Sequence, residues 1–201
     1  MRKFSVLQVV AVALAIAPSV VFAHTGVSEA HGFLHGLMHP ISGLDHVLAM
    51  IAVGVFAAQL GGRALWAVPA SFVAMMAIAG ACGMTGLALP YTEIGIALSL
   101  VVLGAVIAFN VKLPMAMAAA LVALFAVFHG YAHGMEMPDN LSGIAFGAGF
   151  ILATSLLHGV GVGLGFGVKR IGMERGRPLA QTYGGAMALV GLAGLAGIYI
   201  G

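Results

Sequence analysis

Long apolar runs recur along the chain, and short polar, glycine or proline breaks separate them. After the N-terminal segment the pattern predicts six helices, near residues 41–60, 64–86, 92–110, 113–133, 142–168 and 180–200. Each is close to the ~20 residues that cross a bilayer core. The breaks carry turn residues: Gly61-Gly62-Arg63, Leu89-Pro90-Tyr91, Asn110 to Pro114, Pro138-Asp139-Asn140 and Lys169 to Pro178. The expected fold is therefore an all-α, polytopic membrane helix bundle, with residues 24–201 forming one six-helix transmembrane domain.

Residues 1–23 read as a secretory leader. Arg2 and Lys3 give a positive start, Phe4 to Ala17 an apolar core, Pro18 a break, and Val21-Phe22-Ala23 small residues before a cut. The alternative is an uncleaved anchor helix. Either way His24 lies on the far side of the inner (cytoplasmic) membrane.

Charge orients the helices. The six basic residues after the leader are Arg63, Lys112, Lys169, Arg170, Arg175 and Arg177, and all follow the first, third or fifth predicted helix. Glu93, Glu136 and Asp139 lie at the alternate breaks. The positive-inside rule puts the basic loops in the cytoplasm and both mature termini in the periplasm.

Composition excludes other classes. The chain is 62% hydrophobic and 7% charged, far from the quarter charged of soluble domains. Its formal charge of +2, without a basic stripe, argues against nucleic acid. Cys82 is the one cysteine, so no disulfide or Cys-based zinc site is expected. Small-residue pairs at Gly143/Gly147, Gly159/Gly163 and Gly197/Gly201, with the stripe Gly80, Gly83 and Gly86, predict close helix packing.

The eight histidines equal the lysines and arginines together. Topology gathers most of them at the outer end. His24, His31 and His35 precede the first predicted helix as a periplasmic, metal-attracting segment. His39, Asp45 and His46 occupy its opening. His129 and His133 end the fourth helix, and Glu136 follows. At ~100° per residue His129, His133 and Glu136 share one face, and i, i+4 imidazoles can grip one ion. Imidazole and carboxylate suit borderline divalent metals, and ionisable groups at membrane depth are costly to keep without a task.

On a regular helix His39 and His46 lie ~10.5 Å apart along the axis, too far to share an ion. Pro40 favours a first helical position, with His39 as cap. Either His39 folds back toward the site, or the two histidines are successive stations. Asp45 is either a ligand or a partner that orients an imidazole. His158, past the middle of the fifth helix, is either a helix–helix hydrogen bond or an inner relay.

The segment His39-Pro40-x-x-Gly43-x-Asp45-His46 resembles the first-helix motif of the hydrogenase/urease accessory permeases, the HupE/UreJ family. Phe128-His129-Gly130-Tyr131-Ala132-His133-Gly134-x-Glu136 resembles its fourth-helix motif, and Leu157-His158-Gly159 is a weaker match. The resemblance runs the length of the chain. It implies a secondary permease for Ni²⁺, or Co²⁺, serving nickel hydrogenase or urease, with metal-handling roles at His39, Asp45, His46, His133 and Glu136. The metal is cargo, and no resident cofactor or catalytic residue is expected. No Walker-type phosphate loop is present, so transport would be secondary or passive. Two other classes compete: an intramembrane metal hydrolase, and a non-transporting accessory protein that delivers metal.

Overall fold

A computed structural model describes residues 29–137 and 141–197. The leader, His24, the 138–140 turn and the C-terminal Gly201 lie outside the described residues. Among the described residues seven helices run in chain order: α1 (Glu29–Ser42), α2 (Leu44–Leu60), α3 (Ala64–Met84), α4 (Thr92–Ala108), α5 (Met115–Met135), α6 (Leu141–Arg170) and α7 (Met173–Leu195). Six of these match the six expected from the apolar runs. The seventh, α1, covers residues before 41 that the apolar pattern left outside the predicted helices.

Among the described residues, Ala64–Met84, Met115–Met135 and Gly143–Arg170 are each long and apolar enough to cross a membrane. Helix α1 joined to α2 makes a fourth such unit, bent by 83°. Helix α4 is apolar but shorter, at 17 residues. Helix α7 starts at Met173 rather than near 180, so Glu174, Arg175 and Arg177 fall inside it.

The break between α1 and α2 has a local cause. Pro40 removes a backbone donor near the end of α1. Two residues later Ser42 Oγ donates to His39 O at 2.6 Å and takes up a last-turn carbonyl. Gly43 is extended (φ −99°, ψ 119°) and starts α2. A side chain at Gly43 would meet Asp45 Oδ1. That oxygen accepts from His46 N at 2.7 Å. It thus places a carboxylate against the positive end of α2.

Helix α2 is the core. Ala49, Met50, Ala52, Val53, Phe56, Ala57 and Ala58 are all fully buried, as befits a helix apolar on every side. Glycines seat its neighbours. Gly54 of α2 meets the backbone of α6 at His158 and Gly161, and Gly161 in turn meets Ile51. Gly130 and Gly134 of α5 press on Met76 and Gly80 of α3.

Three glycine readings change, one of them at Gly197, which takes φ +73° and packs against nothing among the described residues. A Cβ at Gly159 or Gly163 would meet open space, so the packing face of α6 is two residues over, at Gly161 and Gly165. Gly86 packs against nothing either. It takes φ +74° in the turn after α3, a conformation glycine adopts at no steric cost.

Candidate metal centre

Three donors from two distant segments meet at one end of the bundle. His39 Nε2 lies 2.7 Å from Glu136 Oε2 and 3.0 Å from His133 Nδ1. His133 Nδ1 lies 3.6 Å from Glu136 Oε2. One donor atom from each residue lies within 4.8 Å of the others, which is the spacing of a shared ion. With ~2.1 Å bonds to nitrogen or oxygen, neighbouring ligand atoms around one metal stand about 3.0–3.4 Å apart. The three observed edges bracket that range.

His133 extends the cluster inward. Its Nε2 lies 3.0 Å from His46 Nδ1. The His133 ring thus stands between His39 and His46, which answers the spacing problem of a regular helix. The break at Gly43 lets His39 approach from α1 while His46 approaches from α2.

An aromatic floor from α6 supports the rings. Phe150 lies 4.6 Å from His133, 5.2 Å from His46 and 6.1 Å from His39 between ring centroids. Phe146 stacks on Phe150 at 6.2 Å and touches His35 and His39, each at 5.4 Å. Pattern reading along the sequence missed this pair, although its i, i+4 spacing at the start of α6 was available to find it.

His129 lies deeper, fully buried, with its ring 5.2 Å from His46. Its Nε2 is 3.0 Å from Ser99 Oγ. The Ser99 hydroxyl gives its one proton to Ile96 O at 2.6 Å. His129 Nε2 must then be the donor in their contact. Ser99 was also missed from the sequence, where a lone serine on an apolar helix carries no signal.

His158 is buried, and neither ring nitrogen has a hydrogen-bond partner among the described residues. The expectation of a helix–helix hydrogen bond there is not met. Phe72, itself fully buried, is in contact with both it and His129, 5.3 Å from the His158 ring and 5.9 Å from the His129 ring. His46 Nε2 is likewise buried and unpartnered among the described residues.

The remaining candidates separate. Asp45 Oδ1 is held by the His46 amide and is not among the clustered donors. His31 and His35 belong to α1, and the exposed His35 ring meets His39 edge-on at 5.9 Å. The adjoining His133 and His39 imidazoles hold the Glu136 carboxyl well below the usual carboxylate range, against a smaller opposing effect of burial.

The family described as HupE / UreJ protein matches residues 12–194. The chain belongs to that family. Over 195 residues it is 47% identical to Protein HupE of Rhizobium leguminosarum bv. viciae, covering 97% of this chain and 100% of that one. No solved structure matches the chain. In this HupE / UreJ chain both sequence motifs end up in the same cluster. His39 and His46 come from the first, and His129, His133 and Glu136 from the second.

Proposed function

We propose that the chain is a secondary permease that takes up Ni²⁺, with Co²⁺ as the nearest chemical alternative, and supplies a nickel enzyme such as hydrogenase or urease. The observation that carries this reading is the convergence of His39, His133 and Glu136 on one point at the end of the bundle. Three donors leave positions open for water, so a hydrated ion can arrive and leave without a full cage having to open.

Helices α2 to α7 serve as six spans, with the bent α1–α2 unit as the first. The imidazole end faces the periplasm and the basic end the cytoplasm, following the distribution of Arg63, Lys112, Lys169 and Arg170. A leader removed after Ala23 would free His24 as a further capture group beside His31 and His35.

His39, His133 and Glu136 form the outer site. His46 orients His133 through Nδ1, and its Nε2, unpartnered among the described residues, becomes a donor to the ion only when that contact is given up. His129 and His158 continue the line. Phe72, packed against both rings, is the side chain that would have to give way between them. An inside-negative potential favours inward movement of a divalent ion by about 4.6 kcal/mol per 100 mV, twice the single-charge value. No other driving force is required.

The test is radiolabelled Ni²⁺ flux into proteoliposomes of the purified protein, with Co²⁺, Zn²⁺ and Cu²⁺ as competitors. Flux that responds to an imposed potential supports the reading. Ni²⁺ binding without flux would favour a delivery protein instead.

A further inference from the structure

The end of the bundle opposite the imidazoles carries a cavity of about 500 Å³ between α2, α4, α6 and α7. Lys112, Lys169 and Arg177 line it together with Gln59, Asn110 and Phe109, and no carboxylate among the described residues does. Position 59 is thirteen residues beyond His46, about 20 Å along α2 at 1.5 Å per residue. This is a separate site.

The lysines reach neighbouring carbonyls. Lys112 Nζ donates to Gln59 O at 2.6 Å, and Lys169 Nζ donates to the adjacent Ala58 O. Both therefore cap the carbonyl end of α2. Capping uses one of the three donors on each ammonium. Arg177 caps nothing and makes no ion pair among the described residues. Capping alone thus leaves most of the donors at this cavity without a use. Burial and the neighbouring Lys169 ammonium lower the Lys112 pKa, as expected of two close cations without a counter-charge.

We infer that this cavity binds a phosphate-bearing anion, the headgroup of an anionic phospholipid. Three cations without an internal carboxylate select negative charge, and basic pockets between membrane helices commonly hold such headgroups. A lipid is favoured over free phosphate because apolar surface adjoins the cations. Phe109 is 79% exposed at the rim and Ile171 is 48% exposed just past Lys169, which gives acyl chains a place to lie. The inference does not depend on what the imidazole site transports.

Native mass spectrometry of the purified full chain tests it, with phosphatidylglycerol, phosphatidylcholine or inorganic phosphate added. Phosphatidylglycerol should be retained and phosphatidylcholine should not. Each of Lys112→Gln, Lys169→Gln and Arg177→Gln should lower retention about fivefold, the worth of one basic residue near an anionic surface. Arg63→Gln should change nothing, because Arg63 sits over Trp66 outside the cavity. Equal retention of both lipids by the wild type overturns the proposal, whatever the variants do. So does saturation by phosphate that displaces the lipid, or full retention in the three variants. If a glutamine variant fails to fold, Lys112→Arg and Lys169→Arg keep the charge and should retain the lipid. Loss in these would overturn the charge argument.

Discussion

His133 Nε2 meets His46 Nδ1 at 3.0 Å, and the opposite nitrogen of the same His133 ring faces His39 and Glu136. One imidazole therefore joins the outer donors to the buried core. If His133 donates through Nε2, its Nδ1 lone pair is left pointing at the shared position of the outer site. His46 fixes that tautomer by accepting the proton, as partners of ligating imidazoles commonly do.

This makes a distinction between two histidines of one motif. His39→Ala removes a donor atom and should abolish Ni²⁺ binding at the outer site. His46→Gln keeps an acceptor near His133 and should weaken binding less than His46→Ala, which should cost about 10–100-fold. Equilibrium Ni²⁺ binding to the purified variants checks the order. Equal loss in His46→Gln and His46→Ala would show that His46 acts as a ligand through its own nitrogen.

The offset of the glycine stripe gives a stability test. Gly161 meets the backbone of Ile51, whereas Gly163 meets open space. Gly161→Ala should force α2 and α6 apart and lower the unfolding temperature in detergent, while Gly163→Ala should leave it unchanged or slightly raised by helix propensity. Equal effects at both positions would place the helix contact elsewhere.

Proton competition sets the pH dependence. Imidazole binds metal only as the neutral base, and a free imidazole titrates near ~6.5. Ni²⁺ capture should fall as external pH drops from about 7 to about 5. Glu136 does not follow that profile. Its folded pKa is depressed, so its ionised form persists through this window and is lost only in stronger acid. Glu136→Gln should therefore lower affinity while the fall between about pH 7 and about pH 5 remains. Loss of that fall in Glu136→Gln would assign the titration to the carboxylate.

Orientation is read by labelling. In a Cys82→Ser background, a membrane-impermeant thiol reagent added from the periplasmic side should mark Leu87→Cys, in the exposed turn after α3. It should not mark Gly172→Cys at the basic end. The reverse pattern would invert the direction of transport.

The apolar runs made six helices legible, because membrane-crossing length and turn residues leave little choice. Helix α1 was not legible in the same way. Its fourteen residues carry three histidines and Pro40, which read as a polar approach segment. Its helicity rests on packing against α6, where Gly36 and Gly149 let the backbones close. The donor types were visible in the two motifs. Their arrangement was not, since it depends on the 83° bend at Gly43, a tertiary feature. Asp45 shows the limit well: its place in the motif suggested a ligand or an orienting partner, and one of its oxygens, Oδ1, accepts from the His46 amide.

The central claim is that His39 from α1 and His133 from α5 hold one ion together. Ni²⁺ uptake at matched protein level, in His39→Ala, His133→Ala and the double variant, tests it most directly. A shared site predicts that each single change nearly abolishes uptake and that the second adds little, because ligands of one ion are strongly coupled. Normal uptake in His133→Ala, or losses that multiply independently in the double variant, would contradict it.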